Sequence, residues 1–125
     1  MKLEMKTNMH IKRELGNIGE QIAVEYLEKN NYQILKRNFY CRQGEIDIIA
    51  KDKKEIVFIE VKTRSSIDFG QPSEAVNKIK QKHMYRTAQY FLYKSNCINN
   101  FIRFDVIEVL IENGKFNVNH IKQII

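Results

Sequence analysis

Three side chains in the stretch "GEIDIIAKDKKEIVFIEVKTR", residues 44 to 64, have the types and spacing for metal-assisted phosphoryl chemistry: Asp47, Glu60 and Lys62. The stretch reads as two β-type runs joined by a charged turn. With a two-residue loop at Asp52 and Lys53, Lys51 faces Lys54, Asp47 lies across from Phe58 and Glu45 across from Glu60. Strand alternation then puts Glu45, Asp47, Ile49, Phe58, Glu60 and Lys62 on one face, and Ile46, Ile48, Val57, Ile59 and Val61 on the other. The second face is core. On the first, diagonal neighbours ~7 to 8 Å apart can converge on one hard cation through carboxylate oxygens. Lys62 stands two residues from Glu60, where an ammonium can orient a water or offset charge on a phosphate. The competing reading is a charged edge hairpin, with Lys62 neutralising Glu60 and Asp47 solvated.

The elements that must position these groups follow from pattern. "NIGEQIAVEYLEKNN" predicts a helix with Asn17 as cap, Glu20 three residues on as in a capping box, and Ile18, Ile22, Ala23, Tyr26 and Leu27 as its apolar arc. "YQILKRNFY" predicts a strand ahead of the hairpin. After a loop marked by Gly70 and Pro72, Ser73 or its neighbour caps a long helix to about Tyr93, with Val76, Ile79, Met84, Thr87, Ala88 and Phe91 on one face. "FIRFDVIEVLIE" and "KFNVNHIKQII" predict two more strands across an Asn113-Gly114 type I′ turn. The order α-β-β-β-α-β-β implies an α/β or α+β sandwich with helices packed on a mixed sheet.

At 125 residues the chain suits one domain, read as residues 13–125 behind a flexible arm, 1–12. Lys and Arg exceed Asp and Glu by 21 to 15, a net charge of +6 that favours an anionic partner. Lys78, Lys80, Lys82, His83 and Arg86 give the second helix a positive flank, and Lys36, Arg37, Arg42 and Arg64 add charge near the hairpin. That pattern suits either phosphate tracking or solvated helix charge. Two cysteines, Cys41 and Cys97, read as free thiols in a reducing compartment, and no segment approaches the ~18 apolar residues of a membrane span. The expected location is cytoplasmic, with no membrane partner.

"NIGEQIAVEYLEKNNYQILKRNFYCRQGEIDIIA", "VFIEVKTRSS", "FGQPSEAV", "KQKHMYRTAQYFL" and "RFDVIEV", together spanning about residues 14 to 109, resemble the YraN-type bacterial family within the restriction-endonuclease-like PD-(D/E)xK superfamily. The resemblance implies a central mixed five-stranded sheet flanked by helices and a nuclease site dependent on Mg²⁺ or Mn²⁺, similar to that of Holliday junction resolvases. Carried over residue by residue, that site is Glu20, Asp47, Glu60 and Lys62, with Asp47, Glu60 and Glu20 on the metal and Lys80 or Gln81 as auxiliary groups. Ile46 stands where the superfamily motif has its proline. Read locally, Glu20 is equally a capping acid, and Lys80 either reaches over the sheet or snorkels to solvent. Arg42, Arg64, Lys78, Lys82 and Arg86 are the candidate nucleic-acid contacts, while Asp105 in "RFDV" suits a structural pairing with Arg103 or a backbone donor. The expected activity is hydrolysis of DNA phosphodiesters, in branched or damaged DNA. The alternatives are a nucleic-acid-binding module that does not cut, and an interaction protein whose sheet edge or "HIKQII" tail forms a homodimer.

Overall fold

A computed structural model describes residues 8–65 and 77–125, with side chains from residue 13 onward. The elements run α1 (Asn8–Lys29), β1 (Gln33–Cys41), β2 (Gly44–Asp52), β3 (Glu55–Ser65), α2 (Lys78–Lys94), β4 (Phe101–Glu112) and β5 (Lys115–Ile121), the order the pattern predicts. The strands lie side by side in chain order, antiparallel except for β3 and β4, which pair in parallel from Glu55–Phe101 to Ser65–Ile111. Parallel neighbours need a long crossover, and the segment containing α2 supplies it. The result is a five-stranded mixed sheet with restriction-endonuclease-like topology.

Both faces of the sheet are covered, which explains why its central strands are nearly continuous apolar runs. Ala23, Val24 and Leu27 of α1 pack on Ile48, Ala50, Val57, Ile59, Ile107 and Val109. On the other face, Met84, Ala88 and Leu92 of α2 pack on Ile46, Ile49, Ile56, Phe58, Phe104 and Val106. Gly19 lets α1 approach the sheet closely, because a Cβ there would overlap the Thr63 side chain. Gly19→Ala should therefore cost about 1–3 kcal/mol by overpacking, despite alanine's better helix propensity, as read from urea denaturation.

Several local expectations are corrected. The first helix begins at Asn8, so Asn17 is interior and Glu20 closes no capping box; Ile18 is half exposed. The second helix is capped by Asn77, whose side chain accepts from the Lys80 N–H at 2.8 Å, and its buried face is Met84, Thr87, Ala88 and Leu92, with Ile79 turned outward. Gly70, Pro72, Ser73 and Val76 lie outside the described residues. The hairpin turns one residue later than expected, at Lys53 and Lys54, so Asp52 pairs with Glu55 and Ile49 with Phe58. A two-residue slip keeps side-chain parity. Ile46, however, joins the α2 core and Ile48 the α1 core. The alternation breaks between the pairs Arg37–Ile48 and Phe39–Ile46, beside Asn38, whose φ of 51° is not a strand conformation. The Asn113-Gly114 turn has the two positive φ angles a type I′ hairpin requires, 48° and 74°.

A buried polar network ties the C-terminal strand to the α1 layer. Asp105, fully buried, accepts from Arg103 Nε at 3.0 Å and from the Gln123 N–H at 3.0 Å, and its Oδ2 lies 2.7 Å from His120 Nε2. Arg103 also donates to Tyr32, Asp52 and Glu55. The structural role expected of Asp105 thus rests on both donor types, with His120 as an unforeseen third partner. No described helix is long and apolar enough to cross a membrane.

Candidate metal and phosphate site

The ladder between β2 and β3 ends at Ile48–Ile59. Beyond it the Val61 N–H donates to Asp47 Oδ2 at 2.8 Å, so a carboxylate takes the place of a strand carbonyl and the two strands part around it. Burial is the main reason the Asp47 carboxyl is pushed up to about 7; the neighbouring Glu60 charge adds to the rise, the Val61 N–H opposes it, Glu20 adds slightly and Lys80 subtracts. A buried carboxyl beside a second carboxylate behaves this way.

Glu60, on β3, is 5% exposed and carries two ammoniums: Lys80 Nζ at 3.3 Å and Lys62 Nζ at 3.6 Å. Lys80 therefore reaches back over the sheet instead of snorkelling outward. Its position follows from the Asn77 cap, which starts α2 just ahead of it. Gln81 follows on the same turn, half-buried. Glu20 projects from α1 near this group, yet its Oε1 accepts from Arg37 Nε at 3.3 Å and from Asn38 Nδ2 at 3.0 Å.

The donor set fits a hard divalent cation held by few protein ligands. No group of three or more Asp, Glu, His or Cys among the described residues forms a metal-holding cluster. Mg²⁺ commonly uses one or two carboxylates and keeps several waters, which suits Asp47 and Glu60. Glu20, pinned by Arg37 and Asn38, reaches this pair through its charge, which adds slightly to the rise at Asp47.

The strand pattern placed Asp47, Glu60 and Lys62 together and left Lys80 open between reaching over the sheet and snorkelling outward. It missed Asn38, whose left-handed backbone carries no signal beyond the tolerance of Asn for that region, and the role of the Val61 N–H, which is invisible in a side-chain pattern. Arg64, two residues past Lys62, is half-buried, and its Nε is the one buried side-chain nitrogen or oxygen among the described residues without a hydrogen-bond partner. Arg42, Lys78, Lys82 and Arg86 stand exposed, and no contact joins them to Asp47 or Glu60 among the ion pairs of those carboxylates. His83 Nδ1 lies 3.0 Å from the Gln43 carbonyl, which holds the turn bearing Arg42 beside α2.

Residues 19–109 match the family model described as "Uncharacterised protein family UPF0102". A "UPF0102 protein" of Caldicellulosiruptor saccharolyticus is 53% identical over 113 residues, covering 89% of this chain and 96% of the relative. Another, from Clostridium botulinum strain Hall, is 52% identical over 113 residues, covering 88% and 92%. Among solved structures, "Crystal structure of SSO0001" matches at 20% identity and a TM-score of 0.31, over 87% of this chain and 50% of that one. This chain spans half the length of that protein, and the likeness is too loose to bear on function.

Proposed function

Because the chain belongs to the uncharacterised protein family UPF0102, its chemistry has to come from its own side chains, and we propose that it is a divalent-metal-dependent endonuclease acting on DNA, including branched DNA. One observation carries the reading: Asp47 and Glu60 are brought together where β2 and β3 part, with Lys62 and Lys80 on Glu60. Mg²⁺ or Mn²⁺ between the two carboxylates would polarise the scissile phosphate and acidify the attacking water.

The chain's own groups do the rest. Asp47 is fixed by the Val61 N–H, and a cation beside it would favour the ionised form that burial and the Glu60 charge oppose. Lys62, 3.6 Å from Glu60, is placed to hold the attacking water and to balance charge as the P–O bond breaks. Glu20 orients groups around the pair from α1. The partnerless Arg64 Nε suits a phosphate oxygen, since a buried guanidinium nitrogen needs an acceptor.

A second reading, binding without turnover, is favoured by the pairing of Glu60 with two ammoniums, which already neutralises it without metal. Linear, nicked, single-stranded and four-way DNA incubated with Mg²⁺ or Mn²⁺ separates the two. Cutting that falls at least 10²-fold in Lys62→Ala, with binding within about twofold of wild type, is the expected result. Binding with a steep salt dependence and no cutting in any metal favours the second reading.

A further inference from the structure

Positive charge is not spread over this molecule. Residues 33–43 and 78–94, which comprise β1, the turn after it and α2, carry eight Lys and Arg and no Asp or Glu; the rest of the chain carries thirteen against fifteen. The two segments are joined physically, since Phe39 meets Tyr90 and Phe91 and the Gln43 carbonyl meets His83. Apart from Arg37, which pairs with Glu20 of α1, this excess charge lies on and beside α2.

Large aromatic rings share that side. Lys82, Arg86, Tyr90 and Tyr93 fall at i, i+4, i+8 and i+11 on α2, the arc opposite the buried Met84, Ala88 and Leu92. Tyr93 is 72% exposed and Tyr90 38%, and Lys94 Nζ lies 5.9 Å from the Tyr90 ring centre. Solvated helix charge accounts for the cations but not for two tyrosines kept among them. A duplex would use the cations alone, because its bases are already stacked on one another.

We propose that the outer face of α2 binds single-stranded nucleic acid, with bases stacked on Tyr90 and Tyr93 and phosphates on Lys82, Arg86 and Lys94. Cations interleaved with exposed rings are the arrangement that holds an unpaired strand. At 1.5 Å per residue the track runs roughly 16 Å along α2 from Tyr93 to Lys82, two residues from Lys80, whose ammonium turns inward to Glu60. This rests on the nucleic-acid reading of the site and makes it more specific: the substrate is DNA with an unpaired arm, such as a flap or an open junction.

The test is fluorescence anisotropy in EDTA with a labelled 20-nucleotide strand and the matching duplex. Tyr90→Leu/Tyr93→Ala should weaken single-strand binding about tenfold and duplex binding less than twofold. Lys82→Gln/Arg86→Gln should weaken both and flatten the salt dependence. The chain has no Trp, so quenching of tyrosine emission by the single strand, reduced in the tyrosine variant, is a direct readout of stacking. Tyr93→Ala alone, at the more exposed ring, serves if the double variant melts early. Wild-type single-strand affinity in folded tyrosine variants, or an equal loss on duplex, overturns the proposal, the first being what a surface for a protein partner would give. Cutting assayed separately in Mg²⁺ keeps the two readings apart: Asp47-dependent cutting without tyrosine-dependent binding sinks only the strand track, and the reverse sinks only the nuclease.

Discussion

Asp105→Ala is expected to destabilise the protein by about 3–5 kcal/mol at pH 7, read as a lower urea midpoint with an unchanged slope. The substitution leaves the buried Arg103 guanidinium without the carboxylate that it contacts through Nε and Nη2, and removes the partner of His120 and of the Gln123 N–H. For a domain of this size that is a large part of the total. The effect should also depend on pH. Burial raises the Asp105 carboxyl, but His120, Arg103 and the Gln123 N–H outweigh it and hold it below its ordinary value. A lowered carboxyl contributes stability that is present above about pH 4 and lost as pH falls through its folded value. The gap between wild type and Asp105→Ala should therefore narrow below pH 4. Replacing Arg103 and Asp105 together with Met and Leu should cost less than removing Asp105 alone, since no buried charge is then stranded.

Asp47→Asn should do the opposite in the absence of metal. The Asp47 carboxyl is raised to about 7, mainly by burial and then by Glu60. A raised carboxyl favours folding while it stays protonated, so stability falls as pH climbs from about 4 to about 7, where the unfolded chain is ionised and the folded one is not. Asparagine avoids that loss and can still accept from the Val61 N–H. The full shift corresponds to about 4 kcal/mol, and burying the amide returns part of it, so in EDTA at pH 8 the variant should be roughly 2 kcal/mol more stable than wild type. At pH 4, where wild type keeps its proton and only the cost of the buried amide remains, the variant should be roughly 2 kcal/mol less stable. Mg²⁺ should raise the Tm of the wild type at pH 8, more than at pH 6, and should leave Asp47→Asn unmoved. A group that destabilises the fold when ionised and alone is the expected behaviour of a functional carboxylate.

Much of this was legible in the sequence because it depends on parity. The α-β-β-β-α-β-β order, and the placing of Asp47 with Glu60 and Lys62, survive a two-residue error in the hairpin register, whereas a one-residue error would have scattered them. What parity does not carry was missed. Ile46 and Ile48 face different layers because the strand alternation breaks beside Asn38, and the same residue helps to hold Glu20. The start of α1 was misplaced by nine residues because Asn17 and Glu20 imitate a capping box inside a helix that needs no cap there. No local pattern singles out His120; its role depends on β5 pairing with β4, which brings it to Asp105 across fifteen residues.

The most direct measurement is metal-dependent cleavage of a labelled four-way or flapped DNA by wild-type protein and by Asp47→Asn, purified identically. Products that require Mg²⁺ or Mn²⁺ and fall at least 10²-fold in the asparagine variant, with its fold intact by circular dichroism, are the predicted result. Equal cutting by both proteins would contradict the account, because the activity would then owe nothing to the carboxylate at which β2 and β3 part.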